Sequence, residues 1–113
     1  MFVRIYWGKT YPGSWDAIER SYRGLMAIEA PGLLGRLVTR DTNDPENLFT
    51  ITFWVDRQSV DDWEASRAYA ETFAAALKPF IVGAQSVSLC EVKLADMAGL
   101  VRVAQARAGE RPD

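Results

Sequence analysis

A chain of 113 residues, 49% of them hydrophobic, is the size of one compact domain. Its net charge of −2 argues against a nucleic-acid partner, because no surplus of Lys and Arg exists to displace counterions from phosphates. It contains no histidine, which excludes a Ser-His-Asp triad, a Cys-His pair, a His-containing zinc site and proximal-His haem ligation within the chain.

Residues 2–10 alternate, with Val3, Ile5 and Trp7 on one face and Phe2, Arg4 and Tyr6 on the other, and read as a first strand. Tyr11-Pro12-Gly13 is turn chemistry, and Ser14 is placed to cap a helix. Trp15, Ile18, Tyr22, Leu25 and Met26 recur at spacings of three and four, forming the apolar stripe of that helix until Pro31-Gly32 stops it. A second strand covers about 33–40, with Leu34, Arg36, Val38 and Arg40 opposite Leu33, Leu37 and Thr39. Residues 41–46 form a polar hairpin loop, and a third strand runs from Asn47 to Trp54.

Ser59 and Asp62 have the spacing of a capping box, with Asp in place of the usual Glu, and open a second helix that carries Trp63 near its start. Val60, Trp63, Ala70, Phe73 and Leu77 lie along one side of it. The phase loosens around Ser66 and Arg67, which predicts a bend or a break. A fourth strand spans about 85–94, with Val87, Leu89, Glu91 and Lys93 alternating with Ser86, Ser88, Cys90 and Val92. Met97, Leu100, Val101 and Ala104 recur at helical spacing in the remainder. The chain therefore divides into a domain over 1–94 and a tail over 95–113, the tail a short helix with a disordered end.

The order β-α-β-β-α-β predicts an α+β, ferredoxin-like fold, a four-stranded antiparallel sheet with both helices on one face. Several strands carry apolar side chains on both faces, so the uncovered face would expose a large patch. Pairing two sheets face to face removes it, and a homodimer is the expectation. The single cysteine, Cys90, allows no intrachain disulfide and reads as a small core residue in a reducing compartment. No apolar run approaches the ~20 residues that span a bilayer. Arg4 within the first apolar stretch speaks against a signal peptide. The expectation is a cytoplasmic protein with no membrane partner.

Pro31-Gly32-Leu33, the run Phe49-Thr50-Ile51-Thr52-Phe53-Trp54 and Trp63-Glu64-Ala65-Ser66 together resemble the antibiotic biosynthesis monooxygenase family of the dimeric α/β-barrel superfamily, over residues 1 to about 94. The resemblance implies a pocket between the sheet and helix 2, and cofactor-independent oxygenation of an aromatic or quinol-like small molecule with no metal. Trp63 is similar to the helix-2 Trp of the haem-degrading members. Their His ten residues later is Phe73 here and their strand-1 Asn falls near Tyr6, so haem degradation by that route is not expected. Trp54 is similar to the strand-3 Trp of members that oxidise aromatic polyketides to quinones. Their Asn four residues earlier is Thr50 here and their Tyr six residues later is Val60, with Tyr69 as a replacement phenol.

The candidate catalytic residues are accordingly Trp54, Trp63, Thr50 and Tyr69, and the candidate substrate-binding residues Tyr6, Arg36 and Phe73. Each has a plainer reading. Trp54 and Trp63 suit a core, and Asp61, Asp62 and Glu64 suit a helix N-terminus. Arg4 and Arg36 sit in apolar strands, so each either pairs with a carboxylate such as Glu91 or recognises an anionic or enolate oxygen. No general base stands out. The alternative function is a non-catalytic binding or accessory protein for a hydrophobic metabolite or a partner enzyme.

Overall fold

In the computed structural model, which describes residues 1–109, the alternation of residues 2–10 is realised as β1 (Phe2–Thr10). β1 is a central strand because its neighbours bury it on both edges: the sheet order is β2 (Leu33–Arg40), β3 (Asn47–Trp54), β1, β4 (Ile81–Glu91), antiparallel throughout. With α1 (Trp15–Arg23) and α2 (Arg57–Glu64) this is the α+β, ferredoxin-like arrangement. The core lies between one sheet face and the helices, and Ile18, Leu48, Trp54 and Val60 in it are wholly buried. Beyond the sheet, α4 (Ala98–Gly109) lies within the segment expected to be a tail; the disordered end expected there lies outside the described residues. No described helix is long and apolar enough to cross a membrane.

Register decides which side chains meet. Arg4 lies opposite Thr52, and Thr52 opposite Arg36; Tyr6 lies opposite Thr50, and Thr50 opposite Val38. These residues share the helix-facing side with Phe2 and Trp54. Val3, Ile5 and Trp7 share the other side with Phe49, Ile51 and Phe53. One residue breaks the expected alternation. A bulge lets both Leu33 and Gly35 keep register with β3 and turns Leu34 out to 59% exposure, so Leu33 joins Arg36 and Val38 rather than Leu37 and Thr39.

Other boundaries move for identifiable reasons. Ser14 occupies the N-cap position of α1 but makes no cap; its hydroxyl donates to the Tyr11 carbonyl at 2.6 Å. The helix ends at Arg23, well before Pro31, and the N–H groups of Leu25 and Met26 both turn back to the Tyr22 carbonyl. α2 starts earlier than the Ser59 pattern suggested, because Asp56 is the cap: its carboxylate accepts the Ser59 N–H at 2.8 Å and the Ser59 hydroxyl at 2.6 Å. Those two bonds hold the Asp56 carboxyl below its ordinary pKa. Trp63 is therefore on the last turn of α2, not its first. β4 starts at Ile81, where a register shift around Gly83 (φ 71°) lets Ile81 meet Thr10, and it ends at Glu91.

The break expected near Ser66 is present. The Ser66 hydroxyl donates to the Trp63 carbonyl at 2.6 Å, closing α2, and the same oxygen accepts the Tyr69 N–H at 3.1 Å, opening the next segment. That segment is a π-helical turn, Tyr69–Ala74, continued by α3 (Ala75–Leu77). Its wider winding changes the phase. Tyr69 packs against the core while Ala70, expected inside, is exposed.

Candidate functional site

Between the helix-facing side of the sheet and the helical layer lies a cavity of about 500 Å³, within the range of small-molecule sites. Its floor is two cross-strand rows, Arg4–Thr52–Arg36 and Tyr6–Thr50–Val38. The small threonines in the middle strand leave the hollow that larger residues there would fill. Its wall is aromatic: Tyr22 from α1, Trp63 from α2, and Tyr69 and Phe73 from the π-helical turn. The wall rings meet edge to face, Trp63 with Phe73 at 5.5 Å, Trp63 with Tyr69 at 5.9 Å and Tyr22 with Phe73 at 5.9 Å between centroids. That geometry suits the ring quadrupoles and makes a stiff surface.

Two guanidinium groups carry the charge of the site. Arg4 is almost fully buried; its Nη2 donates to the Tyr69 hydroxyl at 2.9 Å and lies 3.5 Å from Glu64 Oε2, while its Nε has no partner. The ion pair is thus with Glu64 at the end of α2. Glu91, opposite Phe2 in the register, pairs instead with Lys93 at 3.2 Å. Arg36 lies against the faces of Phe73 and Trp63, 4.7 and 5.8 Å from their centroids. Its Nη1 donates to the Met26 carbonyl at 3.2 Å, a group left free by the early end of α1, and its Nη2 is buried without a partner. Burial lowers its pKa.

The phenols are shifted the other way. Burial raises the pKa of Tyr6, Tyr69 adds to this and Arg4 opposes it; burial also pushes the Tyr22 hydroxyl upward. Both therefore stay protonated donors near neutral pH. Tyr6 donates to Gln85 Oε1 across to β4. Among the described residues no group of three or more Cys, Asp or Glu is placed to hold a metal ion.

Six of the residues singled out in the sequence border this cavity: Tyr6, Arg36, Thr50, Trp63, Tyr69 and Phe73. Trp54 does not. It is wholly buried, 6.3 Å from the Trp63 ring, and its Nε1 donates to Thr52 Oγ1 at 2.7 Å, so it touches the site only through the residues that line it. Tyr22, Thr52 and Gln85 border the cavity and were not expected there. The alternation of β3 puts Thr52 beside Thr50 and would have found it. Tyr22 was hidden as one more apolar-stripe residue, and nothing local to Gln85 points inward.

Trp63 both closes the wall and leans on Trp54, so Trp63→Phe tests its share in each. The substitution should cost about 1 kcal/mol, as for a modest shape change at a site that is not fully enclosed. It should also clearly change ligand affinity. A denaturant melt beside a binding titration reads both, and a large destabilisation with unchanged binding would make Trp63 a core residue only.

Comparison with known proteins bears on the same region. The family described as antibiotic biosynthesis monooxygenase matches residues 1–75. Among curated proteins no match was found. A solved antibiotic biosynthesis monooxygenase is 21% identical, with a TM-score of 0.67 over 81% of this chain and 98% of that one. A mutant of SnoaB, a cofactor-independent oxygenase from Streptomyces nogalater, is 14% identical, with a TM-score of 0.69 over 83% and 94%. PA3566 from Pseudomonas aeruginosa is 20% identical, with a TM-score of 0.63 over 83% and 94%. At such identities these likenesses speak for the fold.

Proposed function

This chain belongs to the antibiotic biosynthesis monooxygenase family, and on that premise we propose that it is a cofactor-independent monooxygenase for an aromatic or quinol-like small molecule. The observation that carries the reading is the Arg36 guanidinium, without a carboxylate partner among the described residues, at the border of an aromatic-walled cavity. In such chemistry the substrate loses a proton and its enolate or phenolate passes an electron to O₂. For an activated methylene the balance is one O₂ consumed, one carbonyl formed and one water released. The protein then has to stack the ring, exclude water and hold the oxyanion. Trp63, Tyr69 and Phe73 do the first two, and Arg36 and Thr50 supply donors for the third.

Oxygen uptake with a panel of anthrones and hydroquinones, with and without protein, tests this. Protein-dependent uptake matched by quinone or ketone formation is expected. A second reading, a binding or accessory protein for the same class of molecule, is favoured by one feature: among the described residues no carboxylate borders the cavity to act as a general base. Ligand binding without any stimulated uptake would establish that reading in place of the first.

The proposal includes a homodimer through the sheet face opposite the helices. That face carries Val3, Ile5, Trp7, Phe49, Ile51 and Phe53, none of them fully buried. Sedimentation at micromolar concentration should show a dimer. A stable monomer would defeat this part of the proposal.

A further inference from the structure

The ionic content of the cavity is one-sided. Arg4, Arg36 and Lys78 border it, and among the described residues no Asp or Glu does. Arg4 is offset by Glu64, which stands just outside the lining. Arg36 has no carboxylate at ion-pairing distance among the described residues; its one hydrogen bond there is to the Met26 carbonyl. The faces of Phe73 and Trp63 attract its positive charge but accept none of its N–H hydrogens. A half-buried guanidinium without a counter-charge is partly desolvated for no return, and its one buried N–H without an acceptor adds to the cost. Two such N–H groups occur in one cross-strand row, Arg4 Nε and Arg36 Nη2, with only Thr52 between their strands. A guanidinium without a counter-charge, at the border of an aromatic-walled hollow that holds no carboxylate among the described residues, points to an anionic ligand.

We propose that the cavity takes its aromatic ligand as an anion, a ring carboxylate or an ionised phenol, whose charged oxygen is drawn to the uncompensated guanidinium of Arg36 at its border. This deepens the oxygenase reading and rests on it only for the location of the site. The ring stacks on the Trp63 and Phe73 side, where its apolar area is buried, and the guanidinium fork gives the oxyanion a directional partner. For a phenol, such binding selects the ionised form, which is the form that passes an electron to O₂.

The test is anaerobic binding, read by tryptophan fluorescence and calorimetry, so that no turnover is needed. The probes are 2-naphthoate, 2-naphthalenemethanol and 2-(aminomethyl)naphthalene, with a nitro-substituted naphthol ionised at the working pH and its methyl ether as a second pair. At least one anion should bind about tenfold or more tightly than its neutral isostere, the size of one charge-assisted hydrogen bond, and the amine should bind least. Which pair shows the preference tells carboxylate from phenolate. Arg36→Met should abolish the preference, lowering the anion's affinity far more than the neutral probe's, and Arg36→Lys should keep part of it. Equal affinities within both pairs, a preference for the amine, or a preference that survives Arg36→Met would overturn the proposal. The wild-type comparison decides by itself should Arg36→Met not fold. Anion preference without oxygen uptake would remove the oxygenase reading alone, and turnover of a neutral anthrone without anion preference would remove this inference alone.

Discussion

Trp54→Ala is expected to lower stability by about 3–5 kcal/mol, the range for truncating a large aromatic residue in a core. Trp54 has no exposed surface, it ends β3 opposite Phe2 and Leu33, and its ring supports Trp63 from behind. Truncation also takes away the N–H that Thr52 Oγ1 accepts. Domains of this size have only about 5–15 kcal/mol in total, so the variant should stand close to unfolding. A denaturant titration should show a much lower midpoint with little change in slope. A loss below about 1 kcal/mol would mean that the ring is not the enclosed core element described here. The milder Trp54→Phe should fold and bind ligand nearly as the parent does, because Trp54 does not line the cavity. Loss of binding in that folded variant would return Trp54 to the site.

Gly32→Ala should destabilise by about 2–4 kcal/mol, from two separable causes. Gly32 has φ 82°, a left-handed conformation that a side chain makes unfavourable. A Cβ there would also stand 2.1 Å from Ser59 Oγ, 2.6 Å from Ser59 Cβ and 3.0 Å from Val55 Cγ1. Ser59 cannot turn away freely, because its hydroxyl and N–H are both engaged by the Asp56 cap, and the Gly32 carbonyl holds the Val55 N–H at 2.9 Å. Gly13 supplies the control. It too has a positive φ, 75°, but open space around its would-be Cβ. Gly13→Ala should therefore cost only the backbone part, about 1 kcal/mol. Equal midpoint shifts for the two variants would show that the close approach of Gly32 to the start of α2 does not matter.

Local pattern was enough for three of the four strands, while β4 starts and ends earlier than its alternation suggested. The bounds of β1, β2 and β3 follow from two-residue alternation and from turn residues on either side, and Ser66 interrupts the second helix where the hydrophobic phase slips. Caps were harder, because Asp56 and Ser59 are both good cap residues three positions apart, and only the backbone shows which carboxylate accepts which N–H. The bulge at Leu34 left no trace in composition. It exists because Leu33 must meet Trp54 while Gly35 meets Phe53.

For the site the division is sharper. The sequence by itself determined which chemistry is possible: no histidine, two arginines within apolar strands, and a stock of aromatic residues around positions 54–73. The family resemblance brought out five of the residues that border the cavity, and the charge within an apolar strand brought out Arg36. Only the tertiary structure decided which aromatics line it and which stand behind, because Trp54 and Trp63 are alike as side chains and differ in position: Trp63 packs against the buried Trp54 and itself borders the cavity. Only it decided the state of the arginines as well. Whether a guanidinium is paired depends on carboxylates and carbonyls far away in the chain, Glu64 for Arg4 and the Met26 carbonyl for Arg36, and such long-range partners leave no mark on local periodicity.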